Sequence, residues 1–452
     1  LGHLFNPSFA TETSLIDPLP HQRIAVYEHM LPQPRLRFLL ADDAGAGKTI
    51  MAGLYIREML TRRLIRRILI VPPAGLVGNW ERELRTLFNL PFRILSGSES
   101  KADNPFIGPW SNFLIVSVDT LSAGRTLERF EEDGVEPYDL VVFDEAHKLS
   151  ADRNPDLTVR KTERYKLAER LAPRCHHLLL LTATPHMGKD YPYFALWKLL
   201  EPDVLTTPEA FHGYPPEARA RHFVRRTKEE MVYYDGRRIY PERESQTVSY
   251  DLARCGSYRP GEPCHPCEQR LYDETTNYIQ TFYNRARILN RSAARLAMTV
   301  FQRRLASSTY ALMRSFERRL EKLDDLIEDI RSGRLSVEAL AAAQRRLEAL
   351  PDVWGEMTAD EESPEDGLEQ NEVVERRALA GVVATSLAEL QAERGQVAVL
   401  LKLAREVYDA GEESKFEKLR EFLRDERFRE EKILIFTEHR DTLSFLVRRL
   451  EG

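Results

Sequence analysis

A chain of 452 residues has room for two or three domains, each able to bury its own core. Its composition, 42% hydrophobic and 30% charged, is that of an ordinary globular protein, and no apolar run reaches the roughly 18 residues of a membrane-spanning helix. A net charge of −6 excludes a chain-wide basic character, so any nucleic-acid site has to be a local patch.

The N-terminus shows no charged-then-apolar leader, so a cytoplasmic location and no membrane partner are expected. Cys175, Cys255, Cys264 and Cys267 are too few and too clustered for a disulfide framework. Pro18-Leu19-Pro20-His21-Gln22-Arg23 leads into a helix-compatible stretch, Ile24 to Met30. Gln22 could read an adenine edge with its amide, although a plain helix-start glutamine fits the same pattern.

Phe38-Leu39-Leu40-Ala41 is an apolar run, followed by Asp42-Asp43-Ala44-Gly45-Ala46-Gly47-Lys48-Thr49 and then by apolar Ile50 to Ile56. That order predicts a buried strand, a glycine loop and a helix. Glycines let backbone N–H groups approach phosphate oxygens, and a helix N-terminus adds favourable electrostatics. Lys48 can reach the β- and γ-phosphates, and Thr49 can offer its hydroxyl to Mg²⁺. The strict phosphate-loop pattern has glycine where Asp42 stands, so the match rests on Gly45, Gly47, Lys48 and Thr49.

Four more apolar runs follow: Arg67–Pro72, Phe113–Ser117, Asp139–Phe143 and His177–Leu181. With helical stretches between them they predict a parallel sheet covered on both faces, whose ligands sit at the carboxyl ends of the strands. The first of the four ends in Pro73 and leads to a helix with Trp80, read as packing. The third delivers Asp144-Glu145-Ala146-His147, and the fourth Thr182-Ala183-Thr184-Pro185. Asp144 can hold Mg²⁺ through its water shell opposite Thr49, and Glu145 can orient and deprotonate an attacking water.

Leu40 to Ile50 resembles the Walker A segment of Swi/Snf-type superfamily 2 helicase-like ATPases, and the bacterial RNA-polymerase-associated branch is the most similar. That group writes Ala-Asp before its glycines, as Ala41-Asp42 does here. Pro20-His21-Gln22 resembles the adenine-reading segment. Ile70-Val71-Pro72 through Trp80, Val116-Ser117 through Leu121, the Asp-Glu-Ala-His box, Thr182–Pro185, Phe194–Leu200 and Val224–Glu230 follow in the family's order. The resemblance implies a motor that uses ATP to track along double-stranded DNA. It implies ATP contacts at Gln22, Asp43, Ala44, Gly45, Ala46, Gly47, Lys48, Thr49 and Ile50, Mg²⁺ at Thr49 and Asp144, and catalysis by Lys48, Asp144 and Glu145. His147, Thr182 and Thr184 would couple nucleotide state to DNA grip, and the loops at Pro73 and Thr120 would touch phosphates of one strand.

Past residue 250 the pattern departs. Residues 255–267 form a loop rich in proline and cysteine, and the spacing of Cys264 and Cys267, with Cys255 and His265 nearby, is metal-like. Strong zinc sites bring two such pairs, so a surface loop is preferred to zinc at Cys255, Cys264 and Cys267. Residues 268–349 are mostly helical; nine arginines and one acid lie between Arg285 and Arg319, beside an apolar stripe at Val300, Leu305, Leu312, Phe316 and Leu320. Arg303 and Arg304 are candidate phosphate contacts, while a solvated arginine face is an equal reading. Leu323, Ile327, Ile330, Leu347 and Leu350 suggest a helical hairpin that could hold a protein partner, although internal packing is favoured. Nine acids and no basic residue make 351–372 a mobile linker by composition. Lys432–Thr437 predicts a strand resembling the opening of the second motor lobe, with Glu438-His439-Arg440 at its end. No stretch matches the family's two late arginines, whose loss typically costs about 10³–10⁵ in rate, so this chain taken alone is expected to be a truncated motor that binds nucleotide and hydrolyses it poorly.

The expected fold is α/β: a RecA-like P-loop lobe over 1–250, an inserted Cys loop and helical arm over 251–350, an acidic linker over 351–372, a helical segment over 373–410, and the start of a second RecA-like lobe over 411–452. The expected function is an ATP-dependent DNA translocase, with defence against foreign DNA or nucleoprotein remodelling as the preferred setting. A strand-separating helicase and a nucleotide-gated binding subunit are the alternatives.

Overall fold

The computed structural model describes residues 9–97, 104–122, 124–153, 158–186, 188–256, 265–288, 292–336, 386–411, 413–428 and 430–451. Two compact units divide the chain, one running to Glu244 and one from Ser245.

The first unit is built on a seven-stranded sheet in the order β3-β4-β2-β5-β8-β1-β9, every pairing parallel. Its strands are β1 (Arg37–Leu40), β2 (Ile68–Val71), β3 (Arg93–Ile94), β4 (Phe113–Ile115), β5 (Tyr138–Phe143), β8 (Cys175–Leu181) and β9 (Phe223–Val224); β6 (Ala151–Arg153) and β7 (Val159–Lys161) form a separate antiparallel pair. Alternation along the strands feeds two cores. Phe38, Leu40, Ile68, Ile70, Leu140, Val142, Leu179 and Leu181 face one layer, which includes Met51, Leu54 and Tyr55. Leu39, Leu69, Val71, Val141, Phe143, Leu178 and Leu180 face the other, with Tyr165, Leu167, Phe194 and Trp197. Burial on both faces is why the central strands read as continuous apolar runs rather than alternating ones. Helices α1 (Pro20–Ile24), α2 (Lys48–Thr61), α3 (Val77–Phe88) and α4 (Asp190–Leu200) bracket the segments that matter for the site.

The second unit is helical. Its helices are α5 (Glu268–Ile288), α6 (Ser292–Ser307), α7 (Thr309–Arg331), α8 (Leu387–Ala410), α9 (Ser414–Leu423) and α10 (Arg440–Glu451). Leu271, Tyr278, Phe301, Phe316, Leu323, Ile327, Leu390, Val397 and Leu401 form one core, so the helix that begins the 387–410 segment packs with the arm rather than standing apart. Inside that core Arg319 and Glu393, both fully buried, pair with each other, and the Tyr278 hydroxyl donates to the same Glu393 oxygen at 3.0 Å.

Several expectations for this unit change. Lys432–Thr437 is not a strand: it joins no ladder among the described residues, and Leu434 and Phe436 are 81% and 89% exposed. A strand is defined by the ladder it joins, and apolar β-branched composition alone does not supply a partner. Arg304 is 2% exposed and paired with Asp441, which Arg318 also holds at 2.9 Å, and Arg303 pairs with Glu438. Arg304 thus neutralises a carboxylate of its own unit and is closed to phosphate, while Arg303 is paired but exposed. Leu323 and Ile327 pack in the helical core, while Leu347, Leu350 and the acidic stretch 351–372 lie outside the described residues. Cys264 also lies outside them; Cys255 is half-buried, Cys267 is buried, and no cluster of three or more metal-ligating side chains occurs among the described residues.

Candidate nucleotide site

The loop between β1 and α2 carries the site. Gly45 and Gly47 both have left-handed backbones, with φ of 78° and 82°. At Gly47 a side chain is excluded twice, because an added Cβ would lie 2.3 Å from Gln22 Nε2. The carbonyl of Ala46 is held from outside by His21 Nε2 at 2.9 Å and Gln22 Nε2 at 3.0 Å. Among the described residues the N–H groups of Gly45, Gly47 and Lys48 donate to no protein acceptor, which leaves a concavity of donors at a helix N-terminus.

Lys48 Nζ folds back on the Asp42 and Asp43 carbonyls at 2.9 and 3.3 Å. Burial lowers its pKa, and the nearby carboxylates of Glu145, Asp144, Asp42 and Asp43 oppose that shift. Those carboxylates therefore lie within electrostatic reach of the loop lysine, as the motif order requires. Thr49 makes no side-chain hydrogen bond among the described residues, so its hydroxyl is available to a ligand.

Asp144 follows β5, in the middle of the sheet. Its two oxygens are each held by one donor: Trp80 Nε1 reaches Oδ2 and the Glu145 N–H reaches Oδ1, both at 2.8 Å. Burial raises its pKa, the Trp80 bond counters this, and the Glu145 charge adds to the rise. Each oxygen keeps a second lone pair for a cation or its waters. Glu145 itself sits at φ 47° and ψ 48°, a left-handed conformation that a non-glycine residue adopts at a cost of about 1–3 kcal/mol and that clusters at functional sites. His147 Nδ1 lies 3.0 Å from Thr182 Oγ1 and 3.3 Å from Glu145 Oε2, and the Thr184 N–H donates to the same Thr182 hydroxyl at 3.1 Å. One chain of contacts thus links the ends of β5 and β8.

Other expected residues are placed less directly. Gln22 is 3% exposed and its amide is engaged at both ends, Oε1 accepting from Leu19 N at 3.0 Å and Nε2 donating to Ala46. In this conformation it holds the loop rather than presenting an edge to a base. Pro73 is buried and the adjoining Ala74 and Gly75 are exposed; Thr120 is half-buried and bonded to Ser117. Trp80 does pack, at 2% exposure, but its contact with Asp144 was not read from the sequence. A buried indole N–H needs an acceptor, and that rule is the signal that could have found it.

The donor set fits a polyphosphate with Mg²⁺: unbonded loop N–H groups, a lysine satisfied only by loop carbonyls, a free threonine hydroxyl and a buried carboxylate with unfilled lone pairs. Fold and site together define a RecA-like P-loop lobe. Residues 26–230 match the model of the SNF2-related domain, in keeping with the motif order. The chain is 28% identical over 342 residues to the uncharacterized ATP-dependent helicase YqhH of Bacillus subtilis, covering 74% of this chain and 53% of that protein. It is 36% identical over 211 residues to the RNA polymerase-associated protein RapA of Vibrio parahaemolyticus, covering 45% of this chain and 21% of RapA. It thus spans about half of the first relative and about a fifth of the second. A similar solved structure is the Sulfolobus solfataricus SWI2/SNF2 ATPase core in complex with dsDNA, at 20% identity and TM-score 0.40, covering 62% of this chain and 55% of that one.

Proposed function

We propose that the protein is an ATP-dependent motor that acts on double-stranded DNA. The observation that carries the ATPase half is the placement of a glycine loop with unbonded N–H groups, Lys48 and the Asp144-Glu145 pair at the carboxyl edge of one parallel sheet. Lys48 and the loop N–H groups would bind phosphate oxygens, and Asp144 and Thr49 would hold Mg²⁺. When bound, that cation supplies neutralisation of phosphate charge. Glu145 would orient a water and take its proton at the carboxylate. His147, Thr182 and Thr184 would pass a change at the acid pair to the neighbouring strand, a reading supported by their contacts.

The DNA half is supported by the motif order and by the names of the relatives, which include a helicase and an RNA polymerase-associated protein. RNA polymerase is accordingly a candidate partner. Strand separation is the second reading, and a strand-displacement assay distinguishes it from translocation.

Glu145→Gln tests the site. It is expected to lower ATP turnover by about 10²–10⁴ while leaving ATP affinity within a few-fold of the parent. A variant that hydrolyses at the parental rate would remove Glu145 from the chemistry.

A further inference from the structure

Asp42 and Asp43 pose an electrostatic problem. They stand at the neck of a loop suited to a polyphosphate, where negative charge opposes the anion. The segment from Arg226 to Arg243 answers it. Arg226 donates from its backbone N and Nε to Asp42 Oδ1, at 2.9 and 3.1 Å, and from Nη2 to Oδ2 at 2.5 Å, and Asp42 is fully buried. The Lys228 N–H and Arg243 Nη2 both donate to Asp43 Oδ2 at 3.1 Å, and Arg243 is itself held by Glu229. The Tyr240 hydroxyl donates to the Gly45 carbonyl at 3.1 Å, while the Lys228 ammonium lies 5.1 Å from the Tyr240 ring centre and 3.3 Å from where a Gly45 side chain would begin. The chemistry proposed above uses none of these contacts.

We infer that residues 226–243 are an outer brace of the phosphate loop, in which Arg226 and Arg243 neutralise Asp42 and Asp43 and Tyr240 fixes the Gly45 carbonyl. These are positioning residues for nucleotide binding, and the inference rests on the nucleotide reading of the loop. The physical logic is preorganisation. Tyr240 holds the carbonyl of Gly45 and His21 with Gln22 holds that of Ala46, so the loop is gripped by its carbonyls, and among the described residues the N–H groups of Gly45, Gly47 and Lys48 stay free for phosphate. Paired by arginine, the two aspartates add no net repulsion where the phosphates would sit.

The test is the Kd of mant-ADP with Mg²⁺, measured with the thermal midpoint of each variant. Arg226 is avoided, because removing it strands a buried carboxylate and threatens folding. Arg243→Ala, at an exposed pair, is expected to weaken binding about two- to fivefold, and Tyr240→Phe about threefold, with the midpoints held. Arg243→Lys keeps the charge and should bind within about twofold of the parent. Adding Asp43→Asn to Arg243→Ala removes the stranded charge and should restore most of the lost affinity, a rescue that a merely structural role would not produce. If both single variants bind as tightly as the parent, or if the double variant binds no tighter than Arg243→Ala, the brace is overturned. A parent protein that binds no mant-ADP overturns the nucleotide reading itself, and the brace falls with it.

Discussion

At the scale of single residues, Trp80 shows how a packing residue acquires a second task. Its ring fills space against the sheet in the core layer that also holds Phe88, and its N–H is spent on Asp144. Phenylalanine keeps part of the ring and loses the donor. Trp80→Phe is therefore expected to cost about 1–3 kcal/mol in urea denaturation and to raise the Mg²⁺ concentration needed for half-maximal turnover, since one oxygen of Asp144 is no longer held. An unchanged Mg²⁺ requirement would reduce Trp80 to packing alone. Asp42 teaches the complementary lesson. It departs from the strict glycine pattern but follows the family's Ala-Asp, and in the structure it is a fully buried anchor for Arg226.

At the scale of elements, β8 carries a pH-dependent contribution to stability. His177 is 4% exposed and its Nδ1 accepts the Leu36 N–H at 2.9 Å, a bond that requires that nitrogen to be unprotonated. Burial pushes its pKa down from 6.5 to about 4, with His176, Arg37 and Arg35 adding to the fall and Asp139 opposing it. Between those values the unfolded chain binds a proton that the folded chain refuses, so stability rises with pH there. The contribution is fully present above about pH 6.5 and is lost as pH falls toward 4, by up to about 3 kcal/mol. His177→Gln removes the titration. Urea midpoints at pH 7 and pH 4.5 should therefore fall less in the variant than in the parent, and equal falls would remove His177 as the source.

At the scale of the molecule, what could be read from the residues followed the physics of each part. The five central strands were legible because burial on both faces makes their sequences continuously apolar, and the phosphate loop because glycine, lysine and threonine at fixed spacing have few other uses. Strands β3 and β9 were not, since two residues each carry no pattern, and β6 and β7 are largely polar. Lys432–Thr437 failed in the opposite direction, with the composition of a strand and no ladder to join. The pairing of Arg303, Arg304 and Arg318 was hidden for a related reason. Composition counts charges but does not reveal that Asp441 and Glu438, more than a hundred residues later in the chain, come to meet them. The Tyr240–Gly45 and Arg243–Asp43 contacts are equally distant in sequence, and only the fold brings them together.

On the proposed function, this constellation hydrolyses ATP in response to duplex DNA. The direct measurement is phosphate release by the full-length protein in Mg²⁺-ATP, with and without a blunt DNA duplex, alongside Lys48→Ala as the binding-deficient control. Turnover that rises on adding duplex, and that Lys48→Ala abolishes, is the expected result. Turnover that duplex DNA leaves unchanged, or that survives in Lys48→Ala, would contradict it.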